Sequence, residues 1–399
     1  MFRLPRNRVN QYLLVFFHLI ISSSLLGAEN TTNKQMFDVE EQRVAQLDQV
    51  ERLDKSQSRA ISELERLLSQ AKRYGVQSVS SAIRTSAQTL WSEAVDKMAG
   101  DELSDDRWLY WQRLMLRRTL KQSVIFQSLS PADQLAVLWE LELISRGRDD
   151  ITFDDSADIK ILITGFDPFF LDRNISQSNP SGAAALTLDN QIITFANKRA
   201  SIQALVVPVR FADFDQGMIE ILLKPYLKPV DMIATISMGR SDFDLERFPG
   251  LRRSAVAPDN LNVLTGANKQ SPMIPELNDS PLTGPEFVEF SLPVSAMQKA
   301  AGRFKINDNH NVTTLNGERE PESLAQLADE IAVSGAGGGY LSNEISYRSI
   351  RLRDQHNPTL PVGHIHTPRI TAFSPEDTRD IIAQIKGMLE QSLAEIKQK

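Results

Sequence analysis

The chain of 399 residues is 41% hydrophobic, carries 44 basic against 51 acidic side chains for a formal net charge of −7, and contains no cysteine. That length allows two domains, or one domain with a large extension. The mixture of charges offers no basic field for nucleic acid, and the missing thiols exclude disulfides, thiolate metal sites and thiol catalysis.

The first thirty residues, MFRLPRNRVNQYLLVFFHLIISSSLLGAEN, set Arg3, Arg6 and Arg8 ahead of an apolar run from Tyr12 to about Ile21, and small residues follow to Ala28. That order is the grammar of a bacterial secretory signal over residues 1–28. Leu26 interrupts the small-residue cleavage pattern, so an uncleaved anchor is the other reading of the same segment. No later apolar run approaches the roughly 20 residues needed to cross a bilayer. The remainder is therefore expected in the periplasm or outside the cell, without a membrane span.

Residues 29–155 read as a helical region. Val44, Leu47, Val50, Ile61, Leu64, Leu67 and Leu68 recur at threes and fours among Glu, Arg and Gln, which places them on one helical stripe. SPADQLAVLWELELI opens with Ser130 as N-cap, Pro131 at the first helical position and Asp133 in the first turn. Trp91, Trp108 and Trp111 are expected to pack between helices. Nothing in this half assembles a chemical constellation, so it is expected to shield, dock or position something.

The texture changes at residues 156–399. IKILITGF, ALVVPV at 204–209, DMIATISM at 231–238 and EIAVSGAGG at 330–338 are short apolar runs separated by helical patterns such as FDQGMIEILLKPYL. Strands alternating with helices predict an α/β three-layer sandwich around a mostly parallel sheet, with ligands at the carboxyl ends of its strands. Residues 252–287 show no period and are expected to form a long surface excursion, and residues 305–320 a polar insertion.

Three pieces of this half supply complementary chemistry. GGGYLSN brings Ser342 to a helix start, GHIHTP carries His364 and His366, and DLERF carries Glu246. A hydroxyl is a poor nucleophile without an imidazole to take its proton, and the imidazole works better when a carboxylate orients it. Each residue also has a plainer reading. Ser342 suits a helix N-cap, Glu246 beside Arg247 suits a solvated surface, and the histidines, two apart on a strand, share one face with only one expected to reach a site. Two histidines alone do not make a metal centre, and with no third ligand nearby neither a metal nor another cofactor is expected.

The order and wording of these pieces, from about Ile159 to Ile396, resemble pyroglutamyl peptidase type I, the pyrrolidone-carboxylate peptidase family. TGFDPF at Thr164 to Phe169, NPS at Asn179 to Ser181, DLERF, APDN at Ala257 to Asn260, SLPVSAM at Ser291 to Met297, GGYLSN and GHIHTP match the family's motifs in order. The resemblance implies release of an N-terminal pyroglutamyl group from a peptide by a Cys-His-Glu triad, here Ser342, His366 and Glu246, and it selects His366 over His364. It further implies aromatic walls at Phe166 and Phe169 with Asn179 beside them, an oxyanion loop at Gly338, Gly339 and Tyr340, and assembly into a homo-oligomer.

The departures matter equally. Ser342 replaces the family's cysteine, the short SMGR stretch replaces its glutamine-bearing loop, and Phe170 replaces a glycine. Two functions follow from this mixture: a hydrolase using oxygen in place of sulfur, or a binding or scaffold protein that keeps the pocket without turnover.

Overall fold

The computed structural model describes residues 36–70, 75–100 and 105–397, so the segment read as an export signal lies outside the described residues. The first half is built from α1 (Val39–Arg43), α2 (Arg59–Gln70), α3 (Gly75–Gly100), α4 (Arg107–Gln122), α5 (Val124–Gln127) and α6 (Pro131–Ile144). Helix α6 starts where its sequence dictates: the Asp133 N–H donates to Ser130 Oγ at 3.1 Å, and Pro131 occupies the first turn, where its missing donor costs nothing. The stripe on α2 buries Ile61, Leu64 and Leu68, whereas Val44 and Leu47 lie in a 3₁₀ turn. Trp91, Trp108 and Trp111 are all buried.

The second half runs β1 (Ile159–Phe166), α7 (Pro180–Leu188), β2 (Ile192–Phe195), β3 (Lys198–Val207), α8 (Phe211–Asp215), α9 (Met218–Leu223), β4 (Met232–Met238), β5 (Phe243–Glu246), α10 (Val294–Met297), β6 (Ile306–Asn309), β7 (Val312–Thr314), β8 (Gly317–Arg319), β9 (Ala332–Ser334), α11 (Leu341–His356), β10 (Val362–Thr367) and α12 (Pro375–Ser392). Seven strands form the main sheet in the order β2-β3-β1-β4-β10-β5-β6. Strands β3, β1, β4 and β10 run parallel, β2 is antiparallel to β3, and β5 is antiparallel to β10 but parallel to β6. Helix α7 packs with α12, and α9 packs with α11, which completes the layers expected of an α/β sandwich. The parallel strands are buried on both faces, which is why they read as continuous apolar runs.

Three expectations about irregular segments change. EIAVSGAGG was expected among the parallel strands, but β9 pairs antiparallel with β7 in a separate three-stranded sheet, because the chain turns away before reaching the main sheet. The polar insertion at 305–320 is stranded: β6 extends the main sheet beside β5, and β7 and β8 build the small one. The excursion at 252–287 is a tied-down belt. Arg253 in it is buried between Glu344 and Asp215, and the Asn260 amide donates to the Pro168 carbonyl at 2.9 Å.

The two halves share one hydrophobic core, which runs without a break from Ala60 and Trp91 through Ile161 and Ile163 to Ile396. Across the same boundary lies a chain of buried ion pairs. Asp167, in the TGFDPF loop, accepts from Arg113 on α4 at 2.9 Å and from Arg146 after α6 at 2.8 Å. Burial pushes this carboxyl up, but Arg113 and Arg146 outweigh burial and hold it below the usual carboxylate range. Glu142 is held low in the same way, against its burial, by Arg210, Arg117 and Arg146. Asp106, just before α4, accepts the Asn179 N–H at 3.0 Å and so ties the N-cap residue of α7 to the helical half. Burial, reinforced by Asp105, raises its carboxyl well above the ordinary value.

Removing the carboxylate of Asp167 leaves two buried guanidiniums facing each other. Asp167→Ala is expected to lower unfolding stability by roughly 3–5 kcal/mol, read from the denaturant midpoint, whereas a surface change such as Asp155→Ala, at a carboxylate fully open to solvent, is expected to leave it unmoved.

Candidate active site

Strand β10 enters the middle of the sheet between β4 and β5, which sets His364 opposite Thr235 and His366 opposite Ser237. The period of two puts both imidazoles on one face, where their rings meet edge to face with centroids 4.9 Å apart. His366 meets Glu246 at the end of the neighbouring strand β5, and Nδ1 makes a short hydrogen bond with Glu246 Oε1. Glu246 is fully buried. Its second oxygen accepts from the Asn309 amide at 2.7 Å, and Arg240 Nη2 lies 3.7 Å from the first. A carboxylate on Nδ1 fixes the ring and leaves Nε2 as the working nitrogen. His366 Nε2 makes no hydrogen bond within the protein among the described residues.

Two features hold His366 in place. Gly239 lies against it so closely that an added Cβ would fall 2.6 Å from His366 Cβ. Asn309, the residue that fixes the far side of Glu246, belongs to β6 in the segment read as a polar insertion. Sequence reasoning missed Asn309 because its partner lies 63 residues away and the pairing exists only once β6 joins β5.

Ser342 occupies the second position of α11, whose N-cap is Tyr340 without a capping side chain. The serine is therefore not the cap. Its hydroxyl donates to the Gly337 carbonyl at 3.2 Å. The preceding loop differs from expectation at Gly338, whose φ is +89° and whose N–H already donates to the Gly335 carbonyl at 2.9 Å. The N–H groups of Gly339 and Tyr340 donate to no acceptor among the described residues, and like the free N–H groups at the start of α11 they are available to an oxyanion. Gly339 is required for packing: a Cβ there would fall 2.0 Å from Ser254 Oγ, so the belt and the loop touch backbone to side chain.

Beside Ser342 lies a cavity of about 290 Å³, counting its opening to solvent, lined by Phe166, Phe169, Val209, Met238 and Leu341 with Asn179, Ser237, Tyr340 and Ser342. Phe166 and Phe169 both face it. Asn179 lines it too, but its amide is engaged elsewhere, donating to the Asp167 carbonyl at 3.0 Å and accepting from the Ser181 N–H at 3.1 Å; its polar atoms hold the loop instead of a ligand. Tyr340 likewise turns its hydroxyl to the Pro258 carbonyl at 2.8 Å. The wall is thus mainly apolar with few polar groups to spare. Phe170 stands at φ +61°, a backbone region that a bulky side chain adopts only at a cost of order 1–3 kcal/mol. No group of histidine and carboxylate residues able to hold a metal ion occurs among the described residues.

The family described as PA0049, C-terminal domain, matches residues 160–286 and 299–371, and the family described as PA0049 N-terminal domain matches residues 25–142. The uncharacterized protein PA0049 of Pseudomonas aeruginosa is 30% identical over 375 residues, a match covering 70% of this chain and 68% of that one. The chain belongs to the PA0049 family. Among solved structures, pyrrolidone carboxyl peptidase from the hyperthermophile Pyrococcus furiosus, solved with its Cys-free mutant, is 22% identical, covering 59% of this chain and 99% of that chain at a TM-score of 0.40. A mutant of the same peptidase is 21% identical, covering 60% and 100%, at a TM-score of 0.41.

Two measurements check the geometry. Gly239→Ala is expected to push His366 off Glu246, seen as loss of the downfield Nδ1–H proton resonance that the intact pair gives. His364, in contrast, is held well below the usual histidine value by burial and then by His366. The unfolded chain takes up its proton near pH 6.5 while the folded one does not, so stability is expected to fall as pH drops from about 6.5 toward the depressed native value. His364→Phe is expected to flatten that part of the pH–stability profile.

Proposed function

We propose that this PA0049-family protein is an exported hydrolase that removes an N-terminal pyroglutamyl or closely related group from peptides. Ser342 is the nucleophile, His366 the general base and then general acid, and Glu246 the group that orients His366. Gly339 and Tyr340 N–H groups receive the oxyanion. The observation that carries the reading is the buried Glu246–His366 hydrogen bond, with its free Nε2. A fully buried carboxylate costs several kcal/mol unless its partners compensate, and a fold with no use for an oriented imidazole has no reason to bear that cost.

In the proposed reaction Ser342 Oγ attacks the carbonyl carbon of the pyroglutamyl group and His366 Nε2 takes the hydroxyl proton. The C–N bond then breaks as the same proton passes to the departing amine. Water, deprotonated by His366, then attacks the acyl carbon, and the ester C–O bond breaks as His366 returns that proton to Ser342 Oγ, which releases the free acid. For this the serine must leave the Gly337 carbonyl by a turn about its side-chain bond. The apolar lining, with Phe166 and Phe169, suits a small flat ring. The N-terminal segment at residues 1–28 supports export.

A second reading, a binding protein without turnover, is favoured by that same contact, since Ser342 is engaged with Gly337 and not with His366. Hydrolysis of a chromogenic pyroglutamyl amide separates the two. The hydrolase reading expects turnover by the unmodified protein that falls by at least about 10³-fold in Ser342→Ala. An inert protein that gains activity only as Ser342→Cys would establish the second reading instead.

A further inference from the structure

The cavity holds a polar device that neither triad nor loop uses. Ser237 faces the cavity from β4, and its Oγ lies 2.7 Å from His364 Nε2. On the other side of the ring, His364 Nδ1 lies 2.8 Å from Thr235 Oγ1. All three groups are buried, and the β4–β10 register sets Thr235 directly opposite His364.

The direction of each hydrogen bond in this chain turns on which His364 nitrogen carries the proton, and the Thr235 hydroxyl points to one arrangement. Thr235 has one hydroxyl hydrogen, and the Gly363 carbonyl, 3.2 Å away, can only accept it. With that hydrogen given to Gly363, the Thr235 oxygen accepts from His364 and Nδ1 carries the ring proton; the opposite tautomer would reverse the chain and make Nε2 the donor to Ser237. His364 is neutral, because burial and the neighbouring His366 oppose a charge, so Nε2 is left as a bare lone pair. Ser237 therefore donates its only hydrogen to Nε2 and turns oxygen lone pairs toward the cavity.

We infer that Ser237 is a specificity-determining residue: a fixed hydrogen-bond acceptor in an otherwise apolar cavity, selecting a small ring that presents an N–H donor. On the hydrolase reading above, on which this inference rests, that donor is the lactam N–H of the pyroglutamyl group. The Asn179 amide is spent on the Asp167 carbonyl and the Ser181 N–H, and Ser342 is reserved for attack, so among the buried hydroxyls of the lining Ser237 is the one backed by a histidine. Ser237 is not itself a second nucleophile here, since His364 has a hydroxyl and no carboxylate behind it to stabilise an imidazolium.

Binding tests this independently of turnover. Calorimetry on the full protein would compare pyroglutamide with its lactone analogue, in which the ring N–H is replaced by oxygen. The lactam is expected to bind about 10- to 100-fold more tightly, because the lactone sets oxygen lone pairs against Ser237 and leaves a buried acceptor unmet. In Ser237→Ala the gap is expected to close. In Thr235→Val, a nearly isosteric change that frees His364 to move its proton to Nε2, it is expected to narrow. Equal affinities in the unmodified protein, no binding of either ligand, or a gap that survives Ser237→Ala would overturn the inference. Discrimination in binding without hydrolysis supports it and refutes only the hydrolase reading.

Discussion

A carboxylate shut away from water stays ionised only where cations meet it, and Asp167 meets that condition with arginines from a different part of the chain. Arg113 comes from α4 and Arg146 from the end of α6, while Asp167 belongs to the loop after β1 that carries Phe169 to the cavity. The ion pairs make sense only if the helical half is in place. Taking it away would expose apolar surface of α7 and leave Asp167 without its partners. The helical half is thus part of the machinery that holds the pocket wall, through Asp167, through Asp106 on Asn179, and through Arg43 on Asp172.

The same electrostatic constraint recurs at the opposite end of the cavity. Glu246 is as deeply buried as Asp167, but its partners are an imidazole, an amide and the more distant Arg240 instead of two close guanidiniums. That difference separates a structural carboxylate from one suited to chemistry. Two arginines quench Asp167, whereas a single imidazole on Glu246 keeps a nitrogen that can exchange a proton. Beside it, His364 is locked between two hydroxyls and shielded from charge, so the two histidines of the pair stand in opposite surroundings.

The parts of this arrangement that were legible in the sequence were those written in contiguous residues. IKILITGF, ALVVPV and DMIATISM read as buried strands because both faces of a parallel sheet are covered, and the seat of Ser342 at the start of α11 followed from the glycines before it. The pairing of Glu246 with His366 was readable only through a motif resemblance, since 120 residues separate them. Asn309 was not readable, because INDN carries no strand signal until β5 offers it a partner. Nor was the role of Thr235 and Ser237, whose meaning depends on the register with β10. The helical half hid its purpose for a similar reason: Arg113 and Arg146 look like surface residues until Asp167 is found between them.

The central claim is that Ser342 sits in a nucleophile's seat served by His366 and Glu246. Its most direct test is to incubate the protein with an activated pyroglutamyl ester and locate any acyl group by intact mass and peptide mapping. The expected result is one acyl group on Ser342, formed more slowly in Glu246→Gln and absent from Ser342→Ala. Acylation of Ser237 or another residue in its place, or no acylation of a folded protein that binds the ring, would contradict it.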